Sequence, residues 1–436
     1  MTDTVAAPPV PPYQWVAQKP RTAPLWEQAL VALWVLVTTV TFPRDELFLY
    51  PLAMFFLGSF FLRRTEIVPF ALKNWILFLL PLWAMASYLW SPVPAHSLRF
   101  GTFMLLTVII AIYVAKRLTV RQIVEAVFVA NVVVILIVAP SMGSFDEGGP
   151  FGEKNIFAWR MTIALLSALA LALDPKEPPI IRLVAMPVIP VAFLFMFMAK
   201  SATTLVMSLA AIFVFLIVWL FWTNVSRIRH LRVLLIVVFL MSIVVSTLLM
   251  AFLPENDFSN AFLGLIGKDS TLTGRTMLWH TGREVVREHP WLGYGAGGYW
   301  RLDVGTAQTL LELSFKPAGS SFSFHSSYLE TQVNLGRIGL MTLIFTVAWS
   351  LYRTVLGWLK TQDVKHSFLM LVAMIMFITS FTESVFFSAF DISVTLFFIA
   401  AATSLKREEP EYVAVPTDAF PQSPEEAALL ADRYGR

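Results

Sequence analysis

The chain has no cysteine among its 436 residues, which excludes disulfides, thiol catalysis and cysteine-based metal sites. It has no compact basic stripe interleaved with aromatics, so a net charge of +3 and a pI near 9.0 do not point to nucleic acid. No carboxylate cluster stands at metal-ligand spacing, so no metal site is expected. No repeat of about twenty to fifty residues recurs along the chain. The first residues lack the hydrophobic core of a signal peptide and are rich in Pro and Ala, which predicts a disordered tail over 1–24. Charge is scarce throughout, at 14% of residues.

What is present is lipid-soluble sequence. Hydrophobic residues reach 57% and the mean hydropathy is +0.70, beyond the range of a soluble domain. Windows of about seventeen to twenty-five apolar residues predict about twelve spans. They fall near 25–42, 47–62, 69–90, 98–115, 120–139, 156–173, 180–199, 202–222, 233–253, 335–359, 367–382 and 389–405. The fold class that follows is all-α integral membrane. Basic residues favour alternate connections: Arg63/Arg64/Lys73, Lys116/Arg117/Arg121, Lys176/Arg182, Arg227/Arg229/Arg232 and Lys360/Lys365 fall on one side of an even-numbered topology. The positive-inside rule puts that side, and both termini, in the cytoplasm. The polar tail over 406–436 is then cytoplasmic, with Ser423-Pro424-Glu425-Glu426 suited to opening a short helix.

One long polar interruption divides the bundle into spans over 25–253 and 333–405. The segment 254–332, about eighty residues dense in Arg, His, Gly, Trp and Tyr, is expected outside as a partly helical loop domain. Within it, Thr276–Glu288 reads as an amphipathic helix after Thr273-Gly274-Arg275. Met277, Leu278, Trp279 and Val285 mark its apolar side, with Arg275, Arg283 and Arg287 more exposed, and His289-Pro290 stops it. The run Trp291–Trp300 reads as a flexible glycine turn between aromatics, suited to membrane-interface anchoring or sugar stacking. Its formal G-x-G-x-x-G lacks the preceding strand and ribose-binding acid of a dinucleotide site.

His325, in Ser323-Phe324-His325-Ser326-Ser327-Tyr328-Leu329-Glu330, opens a helix that runs into the next span. A lone histidine is more often structural than catalytic. Its place at the external face beside an arginine-rich loop makes it the candidate base. Other ionisable residues gather at the external ends of spans: Arg160 about one turn inside the sixth, Lys200 closing the seventh, Arg99 opening the fourth, and Glu383 and Asp391 flanking the last external turn. Snorkelling accounts for any one of them. Their convergence at one face suggests an anionic ligand such as a diphosphate, held by charge-assisted hydrogen bonds.

In order along the chain, Gly274-Arg275 with Leu278-Trp279, His289-Pro290-Trp291-Leu292-Gly293-Tyr294-Gly295, His325-Ser326-Ser327-Tyr328-Leu329 and Gly336-Arg337-Ile338-Gly339 resemble the O-antigen ligase / polysaccharide polymerase superfamily. The resemblance implies a C-type, metal-independent glycosyltransferase of the bacterial inner membrane that needs no cofactor. It implies an undecaprenyl diphosphate-linked glycan donor, used at the periplasmic face, and a glycan acceptor. By that similarity His325 matches the catalytic histidine, Arg275 the loop arginine, and Arg160 a membrane arginine near the donor diphosphate. Lys200 stands where many relatives carry arginine. Arg283, Arg99, Glu383 and Asn155 are expected as supporting residues.

Three readings of function compete. The first is a polymerase of lipid-linked repeat units for an exported polysaccharide, beside a chain-length regulator and a flippase. The second is an O-antigen ligase acting on lipid A core, and the third a transporter of lipid-linked sugars. Transporters tend to carry charge near mid-bilayer, whereas the charges here sit at one face.

Overall fold

The protein is described here by a computed structural model covering residues 13–18, 22–40, 44–147, 149–225, 275–302, 305–314, 316–317, 322–361, 363–404 and 411–416. The expected span at 233–253, the loop up to residue 274 and the helix start at Ser423 lie outside the described residues. The chain divides into two units. In the terminal unit, β1 (Tyr13–Gln18) pairs antiparallel with β2 (Glu411–Pro416), Tyr13 opposite Pro416 and Gln18 opposite Glu411. Both strands come from stretches read above as tails.

The second unit, Ala23–Lys406, is helical among its described residues. Its helices are α1 (Leu25–Thr39), α2 (Glu46–Leu62), α3 (Arg64–Lys73), α4 (Leu79–Ala86), α5 (Pro94–Arg117), α6 (Val120–Val138), α7 (Lys154–Ala172), α8 (Pro179–Ala185), α9 (Val188–Met198) and α10 (Ala202–Val225). After the undescribed stretch follow α11 (Arg275–Glu288), α12 (Thr306–Leu313), α13 (Ser327–Lys360), α14 (Val364–Thr379) and α15 (Ile392–Thr403). Polar side chains set several starts. Thr119 and Gln122 form a reciprocal capping box on α6, and Asp363, Asp391 and Ser326 cap α14, α15 and α13.

Five helical stretches are long and apolar enough to cross a membrane: α5, Val120–Phe145, α7, Pro179–Met198 and α13. The pair α2–α3, bent by 98°, makes a sixth if it counts as one span. Other expected spans, among them α1, α14 and α15, are apolar helices of 10–17 residues. The chain is therefore a multi-pass helical membrane protein, with fewer full-length spans among the described residues than the twelve windows suggested. The central element is α7, 83% buried and rich in alanine (Ala158, Ala164, Ala168, Ala170 and Ala172), which lets neighbouring backbones approach closely.

Ion pairs mark one end of this bundle. Glu27 of α1 accepts from Arg63 at 2.9 Å and from Arg117 of α5 at 3.1 Å. Lys365 of α14 pairs with Asp174 and, at 2.9 Å, with Glu177, all three almost fully buried. Arg160 lies near the opposite end of α7, roughly 20 Å from Asp174 at the helical rise. Those basic groups belong to the connections that the charge pattern assigned to one side.

The segment after α11 is a docked element, in contrast to the flexible turn expected from its glycines. Helix α13 is broken at Gly336 (φ 66, ψ −167), and the opened backbone pairs with that segment. Arg337 N–H donates to Pro290 O at 2.9 Å, and Tyr294 N–H donates to Val333 O at 3.0 Å. The indoles of Trp83 and Trp90 bond Leu335 O and Leu292 O from the α4 side. A Cβ on Gly336 would stand 2.1 Å from Trp291 C, and one on Gly293 2.5 Å from Asn334 C, so the two glycine motifs interlock. This junction seats the first turns of α13, with His325 just before them.

Candidate active site

At the end of the bundle opposite the ion pairs lies a cavity of about 490 Å³. His325, Arg160, Glu383 and Asn155 line it, together with Asp391, Trp159 and Ser393. The bundle side is built by the starts of α7, α10 and α15 and the end of α14. The loop side is built by the aromatic turn and the segment before α13.

Glu383 is the hub. Its Oε2 lies 2.8 Å from His325 Nδ1. Its Oε1 accepts from Arg275 Nη2 at 2.6 Å and from Asn155 Nδ2 at 3.2 Å. Burial pushes the Glu383 carboxyl up, but the His325 hydrogen bond and the Arg275 charge outweigh it and hold the group below its ordinary range. An ionised carboxylate only accepts, so Nδ1 of His325 is the donor, and in the neutral imidazole Nε2 then carries the lone pair. This is the tautomer that a general base requires.

Local structure fixes both partners. His325 adopts a left-handed backbone (φ 48), a conformation costing of order 1–3 kcal/mol outside glycine and concentrated at functional sites. Ser327 ties the two segments together: its N–H donates to Ser380 O at 2.9 Å and its hydroxyl to Glu383 O at 2.9 Å. Asn155 is oriented in turn by Ser201, whose hydroxyl donates to Asn155 Oδ1 at 2.8 Å.

A second arginine–carboxylate pair stands beside the first. Arg160, 6% exposed, pairs with Asp391 and donates from Nη1 to Ser393 Oγ at 2.7 Å, an atom that also accepts from Trp159 Nε1 at 2.8 Å. Asp391 Oδ1 caps α15 through Ser393 N and Val394 N, so one carboxylate serves the helix and the arginine together. Arg160 Nε is buried and finds no partner among the described residues.

Of the residues expected from sequence, His325, Glu383, Asn155 and Arg160 meet in the cavity, and Arg275 joins them through Glu383. Arg275 was read as one of the more exposed residues of its helix. It instead points inward, its side chain 12% exposed, on one face with Trp279, Gly282 and Val285, while Met277 of the expected apolar side is 55% exposed. The apolar pattern misled because that face meets a polar site. Lys200, at φ 50 in the turn between α9 and α10, precedes the Asn155-bonded Ser201 but does not line the cavity. Arg283 lies exposed on α11, and Arg99 bonds Tyr50 at 2.5 Å over the Phe103 ring. Neither lines the cavity. Sequence reasoning did not single out Trp159, Ser393, Arg301 or Lys316, which do. Ser393 carried a signal, standing two residues after the capping Asp391.

Fold and site together define a multi-pass helical membrane protein with a polar cavity at one end, built around a histidine–carboxylate pair and two arginines. Residues 188–344 match the O-antigen ligase family. Over 344 residues the chain is 25% identical to the exopolysaccharide production protein ExoQ of Rhizobium meliloti (strain 1021), covering 76% of this chain and 77% of that protein. Both findings support the resemblance to the O-antigen ligase / polysaccharide polymerase superfamily. The matched segment holds Lys200, Arg275 and His325. Arg160, Glu383 and Asp391 lie outside it.

Proposed function

We propose that the protein is a glycosyltransferase that polymerises lipid-linked oligosaccharide repeat units for an exported polysaccharide. In this reading it takes glycan from undecaprenyl diphosphate at the periplasmic face of the inner membrane and gives it to a sugar hydroxyl. The observation that carries the reading is the His325–Glu383 pair, at 2.8 Å, on a cavity that also presents Arg160. ExoQ is named for exopolysaccharide production, which favours the polymerase, and its similarity covers 76% of this chain.

The chemistry follows from what each partner lacks. The acceptor hydroxyl is a poor nucleophile, and Nε2 of His325 takes its proton as it attacks the anomeric carbon. Base catalysis of this kind contributes about 10²–10⁴-fold. Glu383 holds the ring and stabilises the imidazolium that forms. The diphosphate leaves with the bonding electrons, and cations stabilise that charge. Arg160 and Arg275 supply them, with Lys200 at the same end of the bundle. Each arginine now shares a carboxylate, so donor binding redistributes existing ion pairs and buries no new unpaired cation. Direct displacement inverts the anomeric centre.

The family description itself favours a second reading, an O-antigen ligase with lipid A core as acceptor. Chemistry at the donor is the same in both. Full-length protein in lipid nanodiscs, given the lipid-linked oligosaccharide and either acceptor, separates them by product. In the same assay His325→Ala is expected to lose product about 10²-fold or more per folded molecule while still binding donor. Near-normal specific activity of that variant removes His325 as the base.

A further inference from the structure

The peptide that presents His325 is held at both ends. Phe324 N–H donates to Glu330 Oε2 at 2.8 Å, and Phe324 O accepts from Trp279 Nε1 at 2.8 Å. The Phe324 ring is fully buried between Tyr299 and Trp300, with centroids 5.5 and 4.7 Å away. The chain then turns into the left-handed conformation of His325. A residue held off its preferred backbone needs its neighbours to over-determine it.

Glu330 is 3% exposed and spends both oxygens on donors. Oε1 accepts from Trp300 Nε1 and Asn334 Nδ2, each at 2.9 Å, and Oε2 from the Phe324 amide. All three partners are N–H groups, so the position needs a group that only accepts. Trp279 stands one helical turn after Arg275 on α11. The same face of that helix therefore reaches the peptide before the histidine through Trp279 and Glu383 through Arg275. Gly282 continues this face. A Cβ there would stand 2.8 Å from Leu329 and 3.0 Å from the Phe324 ring, so the helix sits as close as glycine allows.

We propose that Trp279 and Glu330 are positioning residues for His325, clamping the Phe324 peptide so that the imidazole stays aligned with Glu383. The loop helix α11 is the jaw that grips the base and its carboxylate together. This rests on His325 being the base. Trp279 does not line the cavity, and Glu330, at its wall, spends both oxygens on protein donors, so their loss changes the rate of the chemical step and leaves donor binding alone. Misplacing a catalytic group by about 1 Å can cost about 10²-fold.

The test uses full-length protein in nanodiscs and, as donor, the undecaprenyl-diphosphate oligosaccharide extracted from cells lacking this protein. Trp279→Phe keeps an aromatic ring but removes the N–H donor together with the five-membered part of the indole, and because Trp279 is only half-buried it is the milder of the two changes. Glu330→Gln keeps the shape but turns an amide NH₂ toward one of three N–H groups. Each is expected to lower kcat per folded molecule by about 10- to 100-fold, with KM for the donor within about twofold. If folded yield or Tm falls while kcat per folded molecule stays within twofold of wild type, the residues are only structural and the proposal fails. His325→Ala is run alongside. An inactive His325→Ala beside fully active clamp variants overturns the clamp alone, whereas an active His325→Ala overturns the base reading beneath it.

Discussion

Replacing Glu383 by glutamine tests the site at its hub. Glutamine keeps the length and volume of the side chain but offers one carbonyl and one NH₂ in place of two accepting oxygens. Oε1 of Glu383 serves two donors, Arg275 and Asn155, and Oε2 serves one, His325. The amide therefore turns its carbonyl to the arginine and the asparagine, and its NH₂ to Nδ1 of His325. Nδ1 becomes the acceptor, the proton moves to Nε2, and the base is in the wrong tautomer. The loss then equals the whole base contribution, about 10²–10⁴-fold. Were the carbonyl to face His325 instead, the NH₂ would oppose the Arg275 and Asn155 donors, but the base tautomer would survive and the His325 bond would lose only its charged character, about 1–1.5 kcal/mol or roughly tenfold. The assay is product formed per folded molecule in nanodiscs, with His325→Ala as the floor. A Glu383→Gln enzyme running at half the wild-type kcat or more refutes the tautomer argument. The same variant reports on stability. The Glu383 carboxyl titrates below its ordinary 4.5, so its contribution is complete above that value and is lost as pH falls through the depressed one. The Tm gap between wild type and Glu383→Gln should persist at about pH 5 and close only well below it. A gap that closes on raising the pH contradicts the sign.

Two further variants probe the frame around this hub. Arg160→Ala leaves Asp391 without its cation, at a cost of up to about 3–5 kcal/mol, and is expected to abolish product. Adding Asp391→Asn should restore Tm without restoring activity; recovery of both makes Arg160 structural only. Gly336→Ala puts a Cβ 2.1 Å from the Trp291 backbone at φ 66. Strain of about 1–3 kcal/mol, plus about 0.5–1.5 for each of the two backbone bonds lost to Pro290 and Trp291, predicts a destabilisation of about 2–6 kcal/mol. An unchanged Tm in detergent-purified protein counts against the interlock.

The sequence could bring His325, Arg160, Asn155 and Glu383 to one end of the bundle because alternation of spans is a rigid constraint. Each apolar window reverses the chain, so the side of every connection follows from counting. Which of those residues share a cavity depends on lateral helix packing, and apolar windows carry no such information. Hence Arg99 and Lys200 were legible as members of the same face, although neither lines the cavity with Arg160. Glu383 and Asp391 were visible as acids flanking a turn. Their pairing with arginines that lie 108 and 231 residues away was not.

Two misreadings share a cause. Arg275 was placed on the exposed side of α11, and Trp291–Trp300 was taken as flexible, because both judgements treat polarity and glycine as signs of solvent. In a membrane protein the expensive contacts are polar ones buried within protein, and those contacts select the same residue types. Arg275 faces inward because Glu383 is there to receive it. Gly293 and Gly336 are glycines because each backbone lies against the other's segment, where any side chain would collide. The signal was present in the order of the motifs: a tryptophan–glycine turn followed, after the histidine, by a glycine in the middle of an apolar helix. Such a glycine weakens a long helix by about 1 kcal/mol relative to alanine. Its place just beyond the His325 turn marks where the membrane helix opens its backbone to receive the loop, and so where the loop-borne half of the site is joined to the bundle-borne half.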